Sequence, residues 1–80
     1  MRKHRVRFAS DLSALAFNPG DGHLYALSDQ DRTLFRLDAD FDVMTAWRLP
    51  IAKPEGLAFD GATIYIASDS EERLYVLELE

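Results

Sequence analysis

Cysteine is absent from the 80-residue chain. Disulfide staples, zinc-thiolate sites and cysteine nucleophiles are thereby excluded, and the redox compartment is left open. Histidine is almost absent: His4 and His23 stand too far apart to have ligand spacing. No hydrophobic run approaches the length needed to cross a bilayer. The opening "MRKHRVRFASDLSALAF" is basic like a secretory leader, but Asp11 interrupts the apolar segment such a leader requires, so no targeting signal is expected. Positive charge is also in deficit. A net charge of −5 argues against nonspecific nucleic-acid binding, and no membrane partner is expected. Glycine-rich phosphate loops and a nucleophile elbow are missing. Serines 10, 13, 28, 68 and 70 have no histidine placed to activate them, so no catalytic residue and no cofactor is expected.

What is present is repetition. Apolar residues alternate with a period near two, rich in β-branched and aromatic side chains, and Gly, Pro, Asn and Asp cluster between the runs. Strands are expected near residues 3–9, 13–18, 23–28, 33–38, 43–49, 56–60, 63–68 and 73–79, with turns at "NPGDG" and "DGA". With two residues deleted from the second turn, Leu15-Ala16-Phe17 aligns with Leu57-Ala58-Phe59. Tyr25 then aligns with Tyr65, Ser28-Asp29 with Ser68-Asp69, and Leu34 and Leu37 with Leu74 and Leu77. These eight identities define a repeat of about 40 residues, and the strand pattern selects four-stranded propeller blades over a helical solenoid.

The second copy stops one strand short, since Glu80 aligns with Asp40. The missing strand is found at the N-terminus, where "VRFA" (6–9) matches "WRLP" (47–50). The expected organisation is one two-blade module: residues 1–11 as a fourth strand, 12–50 as the first blade, and 51–80 as three strands of the second. The expected fold class is all-β, a β-propeller fragment of two four-stranded antiparallel blades. It completes a closed, six-bladed ring as a homo-oligomer, with a trimer favoured and a tetramer next, through exchange of the N-terminal strand. Arg5, Val6, Arg7 and Phe8 would then lie beside Leu74, Val76 and Glu78, with the basic cluster Arg2, Lys3, Arg5 and Arg7 facing Glu78 and Glu80.

The motifs "LSALAFNP", "LYALSD", "PEGLAFD" and "LYVLEL" resemble the opening blades of SdiA-regulated propellers, with related patterns in phytase-like esterase-type and NHL propellers. The resemblance implies a propeller architecture. In lactonase-type propellers, which "PEG" is similar to, an equivalent Glu-Gly can ligate a divalent metal, so Glu55 is the metal candidate and calcium the alternative cofactor. Ser13, Asp11, Asp29 and Asp69 are the other candidates for the channel face. Asp29 and Asp69, each at a strand end, are more simply turn caps. The leading expectation for function is a self-assembling structural module. The alternatives are a metal- or small-ligand-binding enzyme of lactonase or esterase type, and a protein-interaction platform. The small ligand is not named by any motif.

Overall fold

The computed structural model describes residues 7–9 and 11–78. Among them are seven strands and no helix: β1 (Ala14–Asn18), β2 (His23–Ser28), β3 (Thr33–Leu37), β4 (Val43–Arg48), β5 (Pro54–Asp60), β6 (Thr63–Ser68) and β7 (Arg73–Glu78). They form two antiparallel meanders, a four-stranded sheet in the order β1-β2-β3-β4 and a three-stranded sheet in the order β5-β6-β7. Each strand lies within two residues of the bounds expected from alternation. The eighth expected strand, 3–9, differs. Residues 3–6 lie outside the described residues, and Arg7, Phe8 and Ala9 carry no strand pairing.

The turns follow from local chemistry. In the first sheet four residues separate the paired Asn18 and His23, and in the second only Gly61 and Ala62 separate Asp60 from Thr63. Gly22 and Gly61 close these turns at φ of 75° and 61°, a region where side chains with a Cβ are strained. The β2–β3 and β6–β7 turns are copies of one another. The Arg32 amide donates to the Asp29 carbonyl at 3.2 Å and the Glu72 amide to the Asp69 carbonyl at 3.4 Å, and Arg32 and Glu72 share a left-handed φ of 49° and 51°.

Antiparallel partners point to the same side of a sheet, so the register assigns every side chain to a face. In the first sheet Leu15, Phe17, Leu24, Ala26, Phe35 and Leu37 share one face, and Ala14, Ala16, Tyr25, Leu27, Leu34 and Trp47 the other. In the second, Leu57, Phe59, Ile64, Ile66, Tyr75 and Leu77 form one face, and Ala58, Tyr65, Ala67, Leu74 and Val76 the other. The shared core joins the second face of sheet one to the first face of sheet two: Tyr25, Leu27, Leu34, Ile64 and Ile66 are buried together, with Leu57, Phe59, Tyr75 and Leu77 packed around them. The connection between the sheets contributes Leu49 and Ile51 to the same cluster. At the top of the junction the Ser13 hydroxyl donates to the Pro54 carbonyl at 2.8 Å, tying β1 to β5.

One irregularity organises the repeat. The β5–β6 register shifts between Pro54 and Gly56, leaving Glu55 as the extra residue of a β-bulge. The copies are therefore 42 residues apart after the bulge, as in Leu15 and Leu57, and 41 apart before it, as in Phe8 and Leu49. Ser13 corresponds to Pro54, and Glu55 has no counterpart in the first copy. The hydrogen bonds agree: the Ser28 hydroxyl reaches the Asp11 carboxylate at 2.9 Å, and the Ser68 hydroxyl reaches the carbonyl of Ala52, 41 residues after Asp11.

Candidate interaction surface

Each sheet has an outer face that the junction does not cover, and part of each is exposed. On sheet one Leu15 and Phe17 are 56% and 57% exposed, and on sheet two Leu74 and Val76 are 63% and 57% exposed. Large apolar side chains exposed on so small a chain leave apolar area in water. The register makes these two faces the counterparts of the two halves of the buried junction. Leu15, Phe17, Leu24 and Leu37 correspond to Leu57, Phe59, Ile64 and Leu77, while Tyr65 and Leu74 correspond to Tyr25 and Leu34.

The N-terminal segment reinforces the correspondence. Phe8 packs on Phe35 with ring centroids 4.7 Å apart, and with Ala9 it covers Ala26, Phe35 and Leu37. Leu49, its counterpart, lies with Ile64 and Leu77 along the junction, in a cleft of about 350 Å³ also lined by Leu34, Trp47 and Glu78. Phe8, expected within a strand, carries no strand pairing and packs on Phe35 instead. Of the other assembly candidates, Arg7, Leu74, Val76 and Glu78 are exposed, and Arg5 and Val6 lie outside the described residues.

The channel-face candidates have different surroundings. Asp11 accepts from the Ser28 hydroxyl at 2.9 Å and from the Gln30 amide at 3.2 Å, so its carboxylate braces the β2–β3 turn. Asp31 lies at the same hydroxyl, 3.0 Å away. Ser13 is engaged with the carbonyls of Leu27 and Pro54. Asp29 and Asp69 receive the turn-closing amides on their backbone carbonyls. Glu55 is exposed beside Asp69, Glu72 and Arg73 in a shallow depression on the open face of sheet two. Among the described residues no group of three or more His, Asp or Glu side chains is placed to hold a metal ion.

A polar cluster that the alternating pattern does not reveal sits at the opposite end of the junction. The Tyr25 hydroxyl donates to Asp21 Oδ2, and Arg36 lies 4.0 Å from the same oxygen. Arg36 also donates to the Thr45 hydroxyl at 3.1 Å and covers the Trp47 ring, 5.6 Å from its centroid. Trp47 in turn stacks near Tyr25 at 17°, and Tyr25 meets Phe59 of the second sheet at 4.6 Å. Asp21 belongs to the longer first turn, which is why the second copy, with Val76 in place of Arg36, has no such cluster. The available signal was a cation inside the apolar run "TLFRL" and a carboxylate in the turn insertion. Burial raises the Asp21 pKa, but the bonds from Tyr25 and the His23 amide, with the charges of His23 and Arg36, outweigh it and hold the group below its ordinary 3.8. Burial and the bond to Asp21 push Tyr25 above 10.0.

The sign of each effect sets a pH window. Asp21, lowered in the folded state, contributes stability that is present above the ordinary carboxyl pKa and lost as pH falls through its folded value. Tyr25, raised, contributes stability present below pH 10.0 and lost as pH rises through its folded value. Tyr25→Phe is expected to cost about 1.5 kcal/mol at neutral pH, the low end for a hydrogen bond to a charged group, and to flatten both limbs. Urea titrations from pH 2 to pH 11 check this. An unchanged acid limb in the variant would remove the Tyr25–Asp21 bond from the account.

Two four- and three-stranded antiparallel meanders, packed face to face and related by an internal repeat, define an all-β protein of blade-like sheets. A family model described as SdiA-regulated matches residues 1–78, and the chain belongs to that family, which points to a propeller-type domain. No helix among the described residues is long and apolar enough to cross a membrane.

Proposed function

We propose that this chain is a self-assembling propeller module with a structural role, its two blades forming part of a ring that other copies complete. The observation that carries the reading is the correspondence of faces. The open face of sheet one has the residue pattern by which sheet two docks on sheet one, and the open face of sheet two has the pattern that receives it. Stacking blades bury a continuous core only when every face has a neighbour, so two blades with two open faces are an incomplete unit. A heterologous contact of this kind closes into a ring when its rotation divides a full turn. Three copies would give six blades and four would give eight, both within the range that propellers adopt. Six is the favoured number.

The reading is structural because the polar groups with fixed geometry serve the fold. Asp11 and Ser13 brace turns and the inter-sheet junction, and Asp21 and Arg36 anchor Tyr25 and Trp47. Static light scattering on the 80-residue chain tests it, with an expected mass of three chains and a concentration-dependent melting temperature. A well-folded species at the single-chain mass of 9.1 kDa across the micromolar range would overturn the proposal.

A further inference from the structure

The chain has two Asp-Gly pairs, Asp21-Gly22 in the β1–β2 turn and Asp60-Gly61 in the β5–β6 turn. An aspartyl residue followed by glycine is open to attack by its own backbone, because glycine has no Cβ to crowd the approach of its amide to the carboxyl carbon. The single asparagine is excluded from this chemistry. Asn18 precedes Pro19, whose nitrogen carries no proton. We propose that Asp60-Gly61 is a site of spontaneous isoaspartate formation, and that the fold protects Asp21-Gly22 from the same change.

In this reaction the Gly61 nitrogen attacks Cγ of Asp60 while the carboxyl is in its acid form. The C–N bond forms, the C–OH bond breaks, and the hydroxyl leaves as water with the amide proton, closing a succinimide ring. Water then opens the ring at either carbonyl. Opening at Cγ restores aspartate, whereas opening at the α-carbonyl leaves the main chain running through Cβ and Cγ with the carboxylate on Cα. Composition is unchanged, and water is the only co-reactant.

Space does not distinguish the two pairs. Both glycines have a positive φ, and neither has an atom within 4 Å of where a Cβ would stand. Hydrogen bonds do distinguish them. The Gly22 amide donates to the Asn18 carbonyl at 2.8 Å, so the attacking nitrogen is held. Asp21 Oδ1 accepts from the His23 amide at 2.9 Å and Oδ2 from the Tyr25 hydroxyl, with Arg36 4.0 Å from the second oxygen. Burial opposes ionisation there, but these partners outweigh it and keep Asp21 a carboxylate, which has no hydroxyl to lose. Asp60 is exposed at the end of β5, and among the described residues neither its carboxylate nor the Gly61 amide has a hydrogen-bond partner. The product lengthens the main chain by one carbon inside the turn closed by the Asp60↔Thr63 pair, where the Gly61 carbonyl lies against Gly20 of the first turn.

Incubation of the folded protein at neutral pH in water enriched in heavy oxygen tests this, because each passage through the ring leaves one heavy oxygen in the peptide. Peptides from a digest are then separated and weighed. The Asp60-Gly61 peptide is expected to gain label and to split into aspartyl and isoaspartyl forms. Its rate should be about tenfold that of the Asp21-Gly22 peptide, the ratio that follows when a hydrogen bond to a charged group must first open. In urea both pairs lose their surroundings, and the ratio should fall to near unity. Tyr25→Phe should raise labelling at Asp21 and leave Asp60 unchanged. No label at Asp60 in the folded chain, or equal labelling of the two pairs before urea is added, would overturn the proposal. A ratio that persists in urea, or no rise at Asp21 in Tyr25→Phe, would overturn protection by the fold.

Discussion

Ile66→Ala is expected to unfold most of the protein at 25 °C. Ile66 is fully buried on the central strand of sheet two, between Leu57 on β5 and Tyr75 on β7, and belongs to the cluster that joins the sheets. Truncating a buried isoleucine to alanine costs about 2–5 kcal/mol, the lost transfer free energy plus the cavity left behind. A domain this small buries proportionally little surface and has a correspondingly narrow stability margin. The loss is large because it falls on both sheets, and the other buried cluster, Ala26, Phe35 and Leu37 under Phe8 and Ala9, serves sheet one alone. Leu74→Ala, on the open face of the same sheet, removes a side chain of similar size that is 63% exposed, and in an unassembled chain should change stability by less than about 0.5 kcal/mol. Urea unfolding of both variants, with the slope checked for constancy, gives the comparison. An Ile66→Ala loss under about 1 kcal/mol would show that the sheets do not share one core.

Much of this architecture is legible in the residues, for identifiable reasons. Alternation of period two sets the seven strands, because a half-buried strand must segregate its two faces. The two-residue deletion between "NPGDG" and "DGA" appears as a four-residue turn against a two-residue turn. The family resemblance carried by "LSALAFNP" and "PEGLAFD" is the family that the chain belongs to. Other features depend on tertiary geometry that composition does not encode. The bulge at Glu55 shows in the sequence only as a one-residue disagreement, "VRFA" matching at 41 and "LAF" at 42. The place of Phe8 is not readable from alternation, since Phe8 alternates with the arginines equally well whether its ring pairs in a strand or packs on the sheet. Packing of Phe8 on Phe35 decides it. The Asp21–Tyr25–Arg36 cluster escapes because it joins a turn to two strands that are neighbours only once the sheet has formed.

For the proposed ring, Phe17→Asp is expected to disperse the copies while leaving each chain folded. Inside the chain Phe59 meets Tyr25 at 4.6 Å across the buried junction. Phe17 corresponds to Phe59 and Tyr65 to Tyr25, so in the ring Phe17 of one copy would meet Tyr65 of the next. Phe17 is 57% exposed in the single chain, where an aspartate would be solvated and tolerated at little cost. Once a neighbouring sheet covers it, the carboxylate is desolvated without a partner, at about 3 kcal/mol or more, and the aromatic contact is lost as well. That corresponds to a weakening of at least about 100-fold at each contact. A ring repeats the defect at every junction, so the species expected at micromolar concentration is the single chain, with its far-UV β signature retained. Leu74→Asp, on the opposite open face, should produce the same dispersal from the other half of the contact. Pairing Phe17→Asp with Tyr65→Lys places opposite charges across the junction and should recover part of the lost mass, which a merely structural defect in sheet one would not allow. Sedimentation velocity on the four chains reads all of these outcomes. An oligomer of unchanged mass in Phe17→Asp would show that this face is not where copies meet.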